Sequence, residues 1–277
     1  NVTMSAASFG VNSLTLDACI GAGVLYLGGA TDVMTNTSRG ILMTGGNNYT
    51  IQNGMIATNN GEIIIHQMGT GTLNLNAQIG TGTASLTKAG DGTLVINSLS
   101  TNSGTSVINR GTVKLGVGST TGAGPFGNTT NGLTVNAGGV LDLNGNNLVV
   151  GTYNATGFGM VSNSAGGAPA VITLGNGNNR LSGLSSTFWA GNLAIKIVGN
   201  NATRDDFGGT FQSAHTGGTI YQGNNLADRV VNPAVFGYGP IVFNTNGGFT
   251  IPSGSLSGWN LGFTNPVVVN GSGHVCI

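Results

Sequence analysis

Asp205 and Asp206 are the only adjacent carboxylates in the chain, set in Thr203-Arg-Asp-Asp-Phe-Gly208. Paired carboxylates cleave glycosidic bonds when one donates a proton and the other activates water across a gap of about 5–9 Å. Neighbouring residues on a strand point to opposite faces, so this pair does not meet that geometry. The other groups such a hydrolase would draw on, Thr31-Asp32, Ile195-Lys196 and Gly273-His274, come in the wrong order and spacing. The pair reads as a solvated turn in which Arg204 pairs locally, and no catalytic residue is assigned.

Metal and cofactor chemistry finds no better footing. His66, His215 and His274 are scattered, without the short spacings or companion cysteines of a metal site. They read as surface strand or loop residues. Asp91, in Gly90-Asp-Gly92, brings one carboxylate where calcium needs six to eight oxygens, so it reads as a turn residue. The glycine clusters lack the strand-to-helix setting that cradles phosphate. No metal and no cofactor is expected. Two cysteines, Cys19 and Cys276, are too few for a disulfide framework.

The elements that would position any site are short strands. Gly71-Thr-Leu-Asn-Leu75, Gly92-Thr-Leu-Val-Ile96, Gly111-Thr-Val-Lys-Leu115 and Gly139-Val-Leu-Asp-Leu143 alternate apolar with polar or small residues, the period of a half-buried strand. Glycine- and asparagine-rich corners separate them. The Gly-Thr-apolar phrase returns about every 20 residues, one coil of a three-sided solenoid, and recurs loosely at Gly218. The spacing predicts an all-β parallel β-helix with little or no helix, one domain over 1–277, and an irregular excursion around 180–240. Stacked coils let asparagines form amide ladders along a face.

Leu86-Thr-Lys-Ala-Gly-Asp-Gly-Thr-Leu-Val-Ile96, followed by Gly104-Thr-Ser-Val-Ile-Asn-Arg-Gly-Thr-Val-Lys-Leu-Gly116, closely resembles the autotransporter-associated β-strand repeat. A weaker copy runs from Leu133 to Gly145, and a degenerate one is expected at Thr210–Tyr221. The resemblance implies a bacterial passenger, secreted or at the cell surface, folded as a parallel β-helix. The membrane barrel that usually follows such passengers is not recognisable here.

Charged residues make up 6% of the chain and cancel to zero, against about 25% in an average globular protein. Nothing in that balance attracts nucleic acid, and no run approaches the roughly 20 apolar residues of a membrane helix. A chain starting at Asn1 reads as a processed segment. Trp189, Phe188, Tyr221, Phe236, Tyr238 and Phe243 gather late in the sequence. They read as core packing, with a carbohydrate-stacking platform as the sharper alternative.

The terminal coils of a solenoid present unpaired strand edges unless capped, and no capping helix is evident. Val267, Val268, Val269, Val275 and Ile277 are therefore candidate assembly contacts. At about 13 coils, Cys19 and Cys276 would lie roughly 60 Å apart, far beyond the ~7 Å limit for a bridge; an intersubunit disulfide is the alternative. Together these features point to an extracellular, non-enzymatic bacterial structural protein. It would stack head to tail into a filament or matrix fibre, with extracellular glycans as further partners. The alternative is a monomeric surface adhesin binding carbohydrate or protein. A polysaccharide-degrading β-helix enzyme is the third reading.

Overall fold

The computed structural model describes residues 1–4, 7–59, 61–80, 82–175, 187–198, 206–207, 213–223, 229–230, 233–244 and 264–271. These form a β-solenoid in which every strand pairing is parallel, apart from three isolated antiparallel bridges. The helical content among the described residues is one 3-10 turn at Pro233–Phe236.

Strands are numbered in chain order. The first face is a ten-stranded sheet of β1 (Val2–Thr3), β4 (Gly23–Tyr26), β7 (Tyr49–Gln52), β10 (Thr72–Leu75), β13 (Thr93–Ile96), β15 (Gly111–Leu115), β17 (Gly139–Asp142), β20 (Gly159–Asn163), β22 (Thr187–Gly191) and β25 (Ala214–His215). The second face has seven: β3 (Leu14–Asp17), β6 (Gly40–Thr44), β9 (Glu62–Gln67), β12 (Ser85–Ala89), β14 (Ser106–Ile108), β16 (Leu133–Asn136) and β19 (Tyr153–Thr156). The third face is split. Its first sheet holds β2 (Ser8–Val11), β5 (Val33–Asn36), β8 (Met55–Ala57) and β11 (Gln78–Ile79). Its second holds β18 (Leu148–Val150), β21 (Ala170–Leu174), β23 (Leu193–Val198), β26 (Gly218–Gln222), β28 (Ile241–Asn244) and β29 (Val267–Asn270). Between the two sheets the chain leaves strand geometry. Short bridges and side-chain links carry that side: Ser100 and Gly124 exchange both backbone bonds (2.9 and 3.2 Å), Ser119 N donates to Asn147 O (2.8 Å), and Ser100 Oγ accepts from Ile79 N (2.9 Å).

Alternation puts one residue in two into the core, and register stacks like on like. On the first face Leu73, Leu94, Val113, Leu141, Val161 and Trp189 form one inward row. On the second, Leu14, Ile41, Ile65, Lys88, Ile108, Val135 and Ala155 do. On the third, Leu148, Ile172, Ile195, Thr219, Ile241 and Val267 do. Apart from Leu14 and Val267, every residue in these rows is buried. Burying a large aliphatic side chain contributes about 1.5–3 kcal/mol, so these rows are the main source of stability.

The repeat phrase sets the register. Thr72, Thr93 and Thr112 are aligned on the first face, each directly after a glycine. A Cβ at Gly92 would fall 2.6 Å from Gly69 O, too close for any side chain. Gly218 leads a strand of the third face instead, paired with Ala194, so it is not a further copy of the same corner. Stacked partners are separated by between 19 residues (Ile96 to Leu115) and 28 residues (Val113 to Leu141). The ten strands of the first face thus span nine turns by His215, fewer than a fixed 20-residue period would give, because the corner loops vary in length.

Inside 180–240, β22, β23, β25 and β26 continue the stack, while β24 (Asp206–Phe207) and β27 (Arg229–Val230) pair as a separate two-stranded sheet.

Candidate functional site

Asp205, His274, Val275, Cys276 and Ile277 lie outside the described residues. Asp206 is placed by its backbone, opposite Arg229. Among the described residues no three of His, Cys, Asp and Glu gather to hold a metal ion, and no helix is long and apolar enough to cross a membrane. His66 is exposed on the second face. His215 departs from the surface position expected of it: it is fully buried, with Nε2 3.1 Å from Thr219 Oγ1. Burial pushes its pKa down to about 4, so the ring is neutral at physiological pH.

Lys88 is the one charged residue in the inward rows described above, a site that no motif in the sequence announces. Its Nζ donates to the carbonyls of Ala89 (3.0 Å), Gly90 (2.7 Å) and Arg110 (3.2 Å). Burial lowers its pKa to about 8, and the nearby Asp91 carboxylate opposes that shift. The ammonium closes the corner between the second and first faces, where the chain turns too sharply for the ladder to use every carbonyl. Its phase alongside inward Leu86 was the available signal. Gln67 serves the preceding corner, donating Nε2 to Gly71 O and Thr93 O, both at 2.7 Å. Asp91 is an exposed turn residue, paired with Arg110. Buried Asp142 accepts from Asn144 N, Ser164 N and Ser164 Oγ, with Lys114 3.7 Å away. Lys88 and Asp142 thus find their partners within the wall of the solenoid, while Gln67 Oε1 is buried without one.

The aromatic group sorts by burial. Trp189, Tyr221, Phe236 and Phe243 are core residues, with Tyr221 stacked on Phe243 at 5.6 Å, so these four rings offer no sugar platform. Tyr238 is exposed. So is Phe158, in a left-handed backbone conformation (φ 67°) that bulky residues rarely adopt.

Asparagine ladders run along the outside. Asn97 Nδ2 donates to Asn76 Oδ1 (2.8 Å), Asn136 Nδ2 to Asn109 Oδ1 (2.7 Å), and Asn270 Nδ2 to Asn244 Oδ1 (2.8 Å). Thr156 Oγ1 extends the second ladder to Asn136 Oδ1, and Thr37 Oγ1 donates to Asn12 Oδ1. In each step the later turn donates to the earlier one.

Among the described residues, apolar side chains are also exposed at the two ends of the inward rows. At one end Val2, aligned with buried Leu25, is 51% exposed. At the other Val267 and Val269, aligned with buried Ile241 and Phe243, are each 52% exposed, and Val268 between them is 40% exposed. Cys19 is exposed and free at a corner near the first end. Its thiol is held above the ordinary value by a side-chain hydrogen bond and the charge of Asp17. Compared with known protein families, curated proteins and solved structures, the chain matches none.

Proposed function

We propose that the chain is an extracellular bacterial structural protein whose solenoids stack end to end into a filament or matrix fibre. The observation that carries the reading is the continuation of inward, core-forming rows into half-exposed valines at both ends, Val2 and Val267 with Val269. A buried row that runs out into solvent gains about 25 cal/mol for each Å2 it covers. A parallel solenoid offers complementary, non-identical ends, and that heterologous contact propagates without closing. Two sequence features add support: a nearly charge-free composition with zero net charge, which favours association, and the likeness of residues 86–116 to repeats of secreted bacterial passengers. The reading assigns no catalytic role to any residue.

Negative-stain microscopy with sedimentation velocity over a concentration series tests this. Filaments one solenoid wide are expected; a monomer that persists at the highest concentration overturns it. In that event the monomeric adhesin becomes the reading, favoured by exposed Phe158 in its left-handed conformation.

A further inference from the structure

We infer that the joint between copies is made on the third face: β29 of one copy adds as a parallel strand to β2 of the next, with Val267 opposite Phe9, Val269 opposite Val11 and Asn270 opposite Asn12. This inference rests on the stacking reading and specifies its contact. Three observations converge on it.

The first is position. In the early turns β2, β5, β8 and β11 each follow a first-face strand and precede a second-face strand, and β18 does the same. The two sheets of the third face therefore occupy one side, and among the described residues β2 and β29 are the outermost strands of that side. The second is phase. Phe9 and Val11 stand in register with buried Met34 and Asn36, and Val267 and Val269 with buried Ile241 and Phe243. Keeping all four inward restricts the register to steps of two; of the two such registers that overlap three residues, only this one sets both valines opposite Phe9 and Val11.

The third is the amide ladder, which is independent of the apolar pattern. On one outer edge Asn270 donates to Asn244, leaving Asn270 Oδ1 as the acceptor for a following turn. On the other edge Asn12 Oδ1 accepts from Thr37, leaving Asn12 Nδ2 as the donor for a preceding turn. With Asn270 opposite Asn12 the ladder runs Asn244, Asn270, Asn12, Thr37 across the joint without a change of polarity. Apolar phase and polar ladder thus select the same register.

Cross-linking tests the register. In a chain with Cys19→Ser and Cys276→Ser, Val268→Cys and Gly10→Cys are placed in separate batches, because these outward positions would be neighbours across the joint. Mild oxidation of an equal mixture gives a disulfide-linked pair, while each batch alone gives none. A charge pair covers the case in which the cysteine variants assemble poorly. Asn12→Asp with Asn270→Asp raises the critical concentration severalfold, and Asn12→Lys with Asn270→Asp restores it. Filaments that form without the cross-link and ignore the charge pair overturn this joint while leaving end-to-end stacking intact. Absence of any assembly overturns the stacking reading itself.

Discussion

Lys88 Nζ donates to Arg110 O, 3.2 Å away in the next turn of the solenoid, while its own Cα is aligned between buried Ile65 and Ile108. The side chain is thus both a core residue and a staple between two corners. Lys88→Met keeps the aliphatic bulk but leaves the carbonyls of Ala89, Gly90 and Arg110 without this donor. A loss of about 2 kcal/mol is expected, measurable by urea unfolding. Lys196→Met, outward between buried Ile195 and Ile197, serves as the control that changes little.

Gly111 takes φ 73°, and a Cβ there would collide with the carbonyls of Gly90 and Gly92 in the preceding turn. Backbone atoms cannot yield as a side-chain tip can. Gly111→Ala costs about 3 kcal/mol, and a melting curve reads it directly. Gly122→Ala, where φ is also positive but no atom lies within 4 Å, costs less.

His215 makes stability depend on acid. The folded ring titrates near 4, against an ordinary value of 6.5. The unfolded chain takes up a proton first as pH falls, so the contribution is complete above 6.5 and is lost between 6.5 and 4. The linkage amounts to about 1.4 kcal/mol per pH unit over that window. Denaturant titrations at pH 7, 5.5 and 4 should show the decline, and His215→Leu should flatten it.

Cys19 should react slowly. Asp17 disfavours its thiolate, and the thiolate is the attacking species. Asp17→Asn is expected to speed alkylation of Cys19 severalfold at neutral pH, followed by mass spectrometry in a Cys276→Ser background. An unchanged rate would remove Asp17 as the cause.

The architecture was legible because alternation and the Gly-Thr phrase are local signals: Thr72, Thr93 and Thr112 announce their own alignment. The number of turns was less legible, since the 28-residue step from Val113 to Leu141 contains a loop whose length no period predicts. Lys88 and His215 were hidden for a different reason. A charged or titratable side chain is read as outward until its strand's phase is fixed, and phase follows from neighbouring turns far away in sequence. The outer edges at Val2 and Val267 follow from strand order, but the ladder polarity that joins Asn270 to Asn12 appears only once donors and acceptors are placed.

The division of the third face into two sheets gives the molecule an uneven stiffness. Force applied along the axis is borne by backbone hydrogen bonds lying nearly parallel to it. At mid-length two sides carry that load through consecutive ladders, whereas the third transmits it there through short contacts such as the Ser100–Gly124 bridge and Ser119 to Asn147. At that level bending toward or away from the third side meets the least resistance, so a fibre of such subunits would have a preferred direction of curvature written into each one.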